Sequence, residues 1–212
     1  KVTAAFVTSH PGVHVSAPTY QGSQALATAI QQGAPADVFA SADAANMSEL
    51  TGAGYVVTGT AQTFARNALE IVVKAGNPKG IQSLSDLSRQ GVAVVLGDPS
   101  RVPAGTFGAQ ALARAHVTVQ PAFVEPSVTG ILTRVQAGTA DAGIVYQSDV
   151  VSGGSSVTGV AIPAGQNVVA SYSIAALKNP VNAAGALAFV EFVMSNQGQA
   201  ILRSSGFLAP TP

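Results

Sequence analysis

The 212-residue sequence contains no cysteine and no tryptophan, and it has few charged residues. Charged side chains make up 9% of the chain, against about 25% in an average soluble domain. Ten Lys and Arg balance ten Asp and Glu, so the formal net charge is zero. The absence of thiols excludes disulfide scaffolds, thiolate metal sites and cysteine nucleophiles. The balanced charge disfavours sequence-independent binding to nucleic acid, which needs a basic excess.

The sequence also lacks a long apolar run. Its two longest charge-free stretches, Val2–Ala36 and Val150–Leu177, are both interrupted by Gly, Ser and Pro. A membrane-spanning helix needs roughly 20 apolar residues in succession. At the same time, the hydrophobic fraction of 47% is too high for a disordered chain. We therefore expect a soluble folded protein.

No signal peptide is recognisable at the start of the chain, because a charged segment followed by an apolar run is missing. Val2, Ala5 and Phe6 instead recur at helical spacing, and Pro11 and Gly12 end the run. A helix that begins at residue 1 without a cap or a preceding strand is typical of a mature or trimmed form. We expect a further segment before Lys1.

Enzyme signatures are absent as well: there is no Gly-x-Ser-x-Gly elbow, Walker loop or Gly-x-Gly-x-x-Gly motif. The three histidines are His10, His14 and His116, and Pro11-Gly12 separates the first two. The ten carboxylates are scattered along the chain without an obvious acid/base pair. The sequence predicts a protein that is not an enzyme and holds no cofactor.

Predicted strands and helices alternate along almost the whole chain, which is typical of an α/β fold with mainly parallel sheets flanked by helices. Two strong strands, Leu69–Val73 and Tyr172–Leu177, are candidates for crossing strands between two domains. The predicted strands are Val13–Ala17, Ala36–Ala40, Ala68–Val73, Val92–Leu96, Val119–Val124, Ala142–Tyr146 and Tyr172–Leu177.

Three short segments of small residues lead into predicted helix starts: 21–26, 97–105 and 124–129. The first N–H groups of a helix have no partner inside it, and the helix dipole is positive there, so anions bind well. Taken singly, Ser23 and Ser127 are also ordinary candidates for helix N-caps, and Pro103 is ordinary in a first turn. Together the three segments favour an anion-binding cleft at the carboxyl ends of the strands.

Three longer motifs, Gly33–Asp43, Gly97–Gly105 and Ala142–Asp149, occur in this order. They resemble the periplasmic molybdate-binding proteins of ABC importers, and the resemblance covers essentially the whole chain. It implies a two-lobed type II periplasmic-binding-protein fold with the ligand in the cleft between the lobes. Lobe 1 would comprise residues 1–68 and 170–212, and lobe 2 residues 69–169.

The resemblance also implies the ligand-binding residues. They are the Ser23 hydroxyl, the backbone N–H groups of Ala104 and Val128, and the Tyr146 hydroxyl. Ser127 stands where the family usually has an acidic residue, and a further family serine would fall before Lys1. The only metal implied is that of the molybdate oxyanion held by these four residues. Arg101 lies near the second segment, but we expect it to face solvent.

The implied function is capture of molybdate or tungstate for a membrane ABC transporter permease. We expect a monomer outside the cytoplasm, in the periplasm or cell envelope, with a signal peptide or lipid anchor before Lys1 and no nucleic-acid partner. Neutral donors would hold the dianion without an ion pair. Cavity size would reject sulfate, and a lack of acceptors would reject protonated oxyanions such as hydrogen phosphate.

Three alternatives remain open. The closest is a binding protein for another oxyanion, such as sulfate, thiosulfate or phosphate. The second is a ligand-sensing effector domain, against which the absence of a helix-turn-helix and of a basic patch counts. The third is an α/β enzyme that acts on a small anion, for which catalytic residues are missing.

Overall fold

The computed structural model describes residues 1–211. Its helices are α1 (Val2–Ser9), α2 (Ser23–Gln31), α3 (Ala44–Gly52), α4 (Pro103–Arg114), α5 (Val128–Ala137), α6 (Gln147–Gly153), α7 (Ala183–Met194) and α8 (Asn196–Ser204). Its strands are β1 (Val38–Ser41), β2 (Gln62–Lys74), β3 (Val94–Gly97), β4 (Phe123–Glu125), β5 (Ala142–Tyr146), β6 (Val157–Ala161) and β7 (Val169–Ala176). Two short 3₁₀ turns cover Leu84–Ser88 and Gly154–Ser156.

The chain forms two compact units. The first consists of Lys1–Arg66 and Ala170–Pro212, and the second of Asn67–Val169. Each boundary between the units falls inside a strand, the first in β2 and the second in β7.

In the first unit, β1 pairs antiparallel with β7, and helices cover the pair. Asp43 caps α3, since its carboxylate accepts a hydrogen bond from the Asn46 N–H at 2.8 Å. Two apolar clusters form the core of this unit. One includes Ala27, Phe39, Met47 and Leu50, and the other includes Ile174, Ala186, Val190, Val193 and Leu202.

In the second unit, β2 pairs antiparallel with β5 on one side and with β6 on the other. Strand β3 pairs parallel with both β4 and β5. The pairing is therefore mixed, and the expectation of mainly parallel sheets is wrong outside β4, β3 and β5. The reason is that β2 lies between β5 and β6 and runs opposite to both, so both of its pairings are antiparallel. The α/β fold class itself is confirmed.

One predicted strand is absent from the structure, and one observed strand has no counterpart among the predicted ones. Val13–Ala17 is not a strand, because a strand needs a partner backbone and the one backbone hydrogen bond of this segment runs from Val13 N to His10 O. Strand β6 was not predicted, because Gly159 interrupts its apolar pattern. A Cβ at Gly159 would meet the carboxylate of Glu70, so a larger residue there would require the Glu70 side chain to move.

Within residues 1–211, no helix has both the length and the apolar character needed to cross a lipid bilayer.

Candidate functional site

Two helix starts and the end of β5 lie along one edge of the sheet in the second unit. Because β3 is parallel to β4 and β5, all three strands end at the same edge. Helix α4 follows β3 after a short loop, α5 follows β4, and Tyr146 is the last residue of β5. The N-terminal N–H groups of α4 and α5 therefore belong to one edge, as the sequence predicts.

Ala104 is the second residue of α4 and is only 1% exposed. The two N–H groups that follow it, those of Gly105 and Thr106, donate to the carbonyl of Val102. The Ala104 N–H has no acceptor among residues 1–211. Buried backbone donors without a partner are rare in folded proteins. This one lies at the positive end of a 12-residue helix, where an anion is the favoured acceptor.

The loop before α4 keeps its own charges near the surface. The Asp98 carboxylate accepts hydrogen bonds from the Ser100 hydroxyl at 2.7 Å and the Ser100 N–H at 2.9 Å. These bonds hold the pKa of Asp98 below its ordinary value. Arg101 pairs with Asp98 at 3.6 Å and its side chain is 69% exposed. Arg101 therefore faces solvent, as predicted.

Val128 is the first residue of α5 and is half-buried. The preceding residue, Ser127, caps the helix, since its hydroxyl oxygen accepts from the Gly130 N–H at 3.2 Å. The Val128 N–H has no acceptor within the described part of the chain. The nearby Arg134 is ion-paired with Glu125 and lies over the ring of Phe123. Its charge is thus already matched inside the protein.

Tyr146 is 8% exposed at the end of β5. Its backbone N–H donates to Oδ2 of Asp149 at 3.0 Å, which ties the start of α6 to the strand. Burial raises the pKa of the Asp149 carboxyl, and the hydrogen bond from Tyr146 partly opposes this shift. The backbone of Tyr146 is therefore held by a side chain of the next helix.

Two buried asparagines in the second unit were missed by the sequence analysis. Asn67, 1% exposed in β2, donates to the Ser148 hydroxyl at 2.8 Å and accepts from the Ser148 N–H at 3.4 Å. Asn167 bonds to both the N–H and the carbonyl of Leu69, at 3.0 and 2.9 Å. In the sequence, the one feature that indicates either residue is an amide side chain next to a predicted apolar strand.

Ser23 belongs to the first unit and is the first residue of α2. Its interpretation as an ordinary N-cap is wrong, because Gly22 occupies the cap position and no side chain caps this helix. The Ser23 hydroxyl oxygen instead accepts a hydrogen bond from the Ala42 N–H at 3.0 Å. Ala42 directly follows β1, so a long-range contact holds this hydroxyl oxygen in place.

No group of three or more His, Cys, Asp or Glu that could hold a metal ion occurs within residues 1–211. One of the three histidines, His10, stacks on the ring of Phe6 at 4.3 Å between ring centres, at the end of α1. The donors described above that lack an acceptor within residues 1–211, the N–H groups of Ala104 and Val128, are neutral. They are suited to an oxygen-rich anion and not to a bare cation.

Comparison with known families gives a match over residues 1–208 to the bacterial extracellular solute-binding proteins. The chain belongs to this family. This solute-binding protein is 43% identical to the molybdate-binding protein ModA of Mycobacterium tuberculosis, over 97% of this chain and 77% of that protein. It is 32% identical to the molybdate-binding protein ModA of Escherichia coli, over 89% of this chain and 76% of that protein.

Among solved structures, the solute-binding protein is similar to the substrate-binding domain of a putative molybdenum ABC transporter from Clostridium difficile. The TM-score is 0.80 at 25% identity, covering 98% of this chain and 93% of that one. The match confirms the predicted type II binding-protein fold. Membership of a solute-binding family also confirms that the protein is not an enzyme.

Proposed function

We propose that this solute-binding protein captures molybdate outside the cytoplasm and delivers it to a membrane ABC transporter. The observation that carries the proposal is the buried Ala104 N–H, which lies at the start of α4 without an acceptor in residues 1–211. The relatives described above, which are named for molybdate, support the choice of ligand.

The proposed ligand-binding groups are the Ser23 hydroxyl, the N–H groups of Ala104 and Val128, and the Tyr146 hydroxyl. Each is a neutral donor, and a tetrahedral dianion offers four oxygens that accept hydrogen bonds. The nearby arginines do not add a cation, because Arg101 is exposed and Arg134 is paired with Glu125. A site of this kind binds a dianion through hydrogen bonds to a charged acceptor, which are stronger than those to a neutral one.

Tungstate has the same shape and charge as molybdate, so we propose that both ions bind. Sulfate has the same charge but is smaller, and we propose that donors spaced for molybdate do not all reach it. We further propose that the protein works as a monomer in the cell envelope. Light scattering coupled to size-exclusion chromatography, with and without molybdate, measures the oligomeric state directly.

A thermal-shift panel with molybdate, tungstate, sulfate and phosphate at equal concentration tests the ligand. A ligand at about 1,000 times its Kd adds about 4 kcal/mol of stability, which raises Tm by about 8–16 °C for a chain of this size. We expect such a shift with molybdate and tungstate and a much smaller one with sulfate and phosphate. Equal shifts with sulfate would overturn the size argument, and a shift with sulfate alone would identify a sulfate-binding protein instead. No shift with any of the four ions would contradict the proposed function.

A further inference from the structure

We infer that Ala42 is a positioning residue that makes the Ser23 hydroxyl a hydrogen-bond donor toward the ligand, so that this side of the site selects oxyanions without a proton. The inference rests on the proposed function and goes beyond it, because it names the residue that sets the polarity of a ligand group. It is supported by the hydrogen bonds of the β1–α3 turn, residues Ala42 and Asp43, in the first unit.

The Ser23 hydroxyl oxygen already accepts one hydrogen bond. A serine hydroxyl has one hydrogen to donate and a rotor that usually leaves its direction open. Here the oxygen already accepts from the half-buried Ala42 N–H at 3.0 Å. The hydroxyl hydrogen cannot point toward Ala42, because another hydrogen occupies that direction. The O–H bond is therefore turned away from the β1–α3 turn and is left to donate elsewhere.

Side-chain hydrogen bonds hold the turn that contains Ala42. Ser41, which is 1% exposed, accepts from the Asp43 N–H through its hydroxyl oxygen at 3.3 Å. Asp43 in turn accepts from the Asn46 backbone N–H at 2.8 Å and from the Asn46 side-chain amide at 2.7 Å. Side chains on both sides of Ala42 thus fix the turn, so its N–H keeps one direction.

The Asp43 carboxylate is the one carboxylate in this turn, and each of its oxygens already accepts a hydrogen bond from Asn46. A protonated oxyanion such as hydrogen phosphate must place its own O–H against an acceptor or lose a hydrogen bond. With the Asp43 carboxylate directed to the start of α3 by Asn46 and the Ser23 hydroxyl oriented as a donor, Ser23 presents a hydrogen and not an acceptor to the ligand. The Ser23 side of the site therefore favours a fully deprotonated oxyanion.

The test removes the Ala42 N–H by the substitution Ala42→Pro and measures the Kd of molybdate and of hydrogen phosphate by calorimetry at neutral pH. Ala44→Pro is the matched control, because Ala44 is the first residue of α3, where proline is tolerated. We expect Ala42→Pro to weaken molybdate binding about tenfold, the loss of one hydrogen bond to a charged group. We also expect it to reduce the ratio between the Kd of hydrogen phosphate and the Kd of molybdate. Ala44→Pro should change neither the molybdate Kd nor this ratio.

A double-mutant cycle separates positioning from general damage. In a Ser23→Ala background, Ala42→Pro should have no further effect on molybdate binding, because the hydroxyl that it orients is gone. The inference would be overturned if Ala42→Pro weakened molybdate binding in the Ser23→Ala background as much as it does in the wild type. It would also be overturned if Ala42→Pro alone kept the affinity and selectivity of the wild type.

If Ala42→Pro does not fold, two measurements on the wild type and on Ser23→Ala test the inference instead. Amide exchange at Ala42 should be slower in the wild type than in Ser23→Ala, and the wild type should bind hydrogen phosphate far more weakly than molybdate. Equal exchange or equal affinities would overturn the inference. A wild-type protein that binds no oxyanion at all is a different outcome, since it rejects the proposed function.

Discussion

Gly105 packs so closely on Gly97 that a Cβ added to Gly105 would lie 2.5 Å from the Gly97 carbonyl oxygen. A Cβ added to Gly97 would lie 2.8 Å from Cγ2 of Val102. The first turn of α4 therefore lies directly against the end of β3. This close approach positions the buried Ala104 N–H, which lies between these contacts in the sequence.

Gly105→Ala should lower the free energy of unfolding by about 1–3 kcal/mol, because the new methyl group overpacks the turn. It should also weaken molybdate binding by displacing the Ala104 N–H. The control is Gly108→Ala in the same helix, where a Cβ would lie 3.5 Å from Cγ2 of Ile144, an ordinary contact. That variant should gain about 0.5–1 kcal/mol, since glycine is unfavourable inside a helix. Urea unfolding compares the two, and equal stabilities would contradict the packing argument.

Tyr146→Phe should weaken molybdate binding by about 1.5–3 kcal/mol, the contribution of a hydrogen bond to a charged group. The matched control is Tyr55→Phe, which removes a hydroxyl that donates to the Gln31 carbonyl at 3.2 Å in the first unit. That change should lower stability slightly and leave the molybdate Kd unaltered. Calorimetric titration measures both. If Tyr146→Phe binds molybdate as tightly as the wild type, Tyr146 is a packing residue.

Asn167→Ala should cost at least about 2 kcal/mol of stability, because it leaves the buried N–H and carbonyl of Leu69 without their partner. The same side chain also donates to the Ile162 carbonyl at 3.2 Å. Asn196→Ala is the control, since Asn196 is exposed at the start of α8, and it should change stability by no more than about 0.5 kcal/mol. Matching denaturation midpoints for the two variants would show that the Leu69 backbone finds other partners.

Asp149→Asn should make the protein more stable at neutral pH. Burial raises the pKa of Asp149 in the folded chain, so the folded state holds the proton more tightly than the unfolded state does. Wild-type stability therefore falls as pH rises from the ordinary pKa, about 3.9, through the raised one. Asparagine keeps an oxygen for the Tyr146 N–H and removes this loss. Urea unfolding across this pH range should show that Asp149→Asn is more stable than the wild type at neutral pH and that this difference disappears in acid. A difference in stability that does not change with pH would contradict the prediction.

Asp86→Asn should have the opposite effect on stability. Hydrogen bonds lower the pKa of Asp86, chiefly the one from the Gln82 N–H, with the Ser83 hydroxyl and N–H contributing. The stability that this carboxylate adds is present above its ordinary pKa and is lost as pH falls through the lowered one. The variant should be less stable than the wild type at neutral pH and should match it only in strong acid. A variant as stable as the wild type at neutral pH would show that these bonds contribute little.

The elements predicted well from sequence are those with local boundary signals. Helix α7 has such a signal at its start, where Asn182 caps it and its side chain accepts from the Gly185 N–H at 2.9 Å. Helix α5 likewise begins directly after its predicted cap, Ser127. Strand β2 is longer than predicted: it extends from Gln62 to Lys74, and a partner strand stabilises even polar positions such as Asn67. A strand's extent depends on its neighbour, which local pattern does not show.

The sequence by itself determined the α/β alternation, the helix starts after segments of small residues, and the lack of catalytic and thiolate chemistry. These are properties of residue type and near-neighbour spacing. Only the tertiary structure decided that the Ala104 N–H is buried without an acceptor, that Ser23 contacts Ala42, and which backbones the buried amides of Asn67 and Asn167 satisfy. Those contacts join residues 19, 81 and 98 positions apart, and a hydrogen bond over such a distance forms only when packing has brought its two partners together.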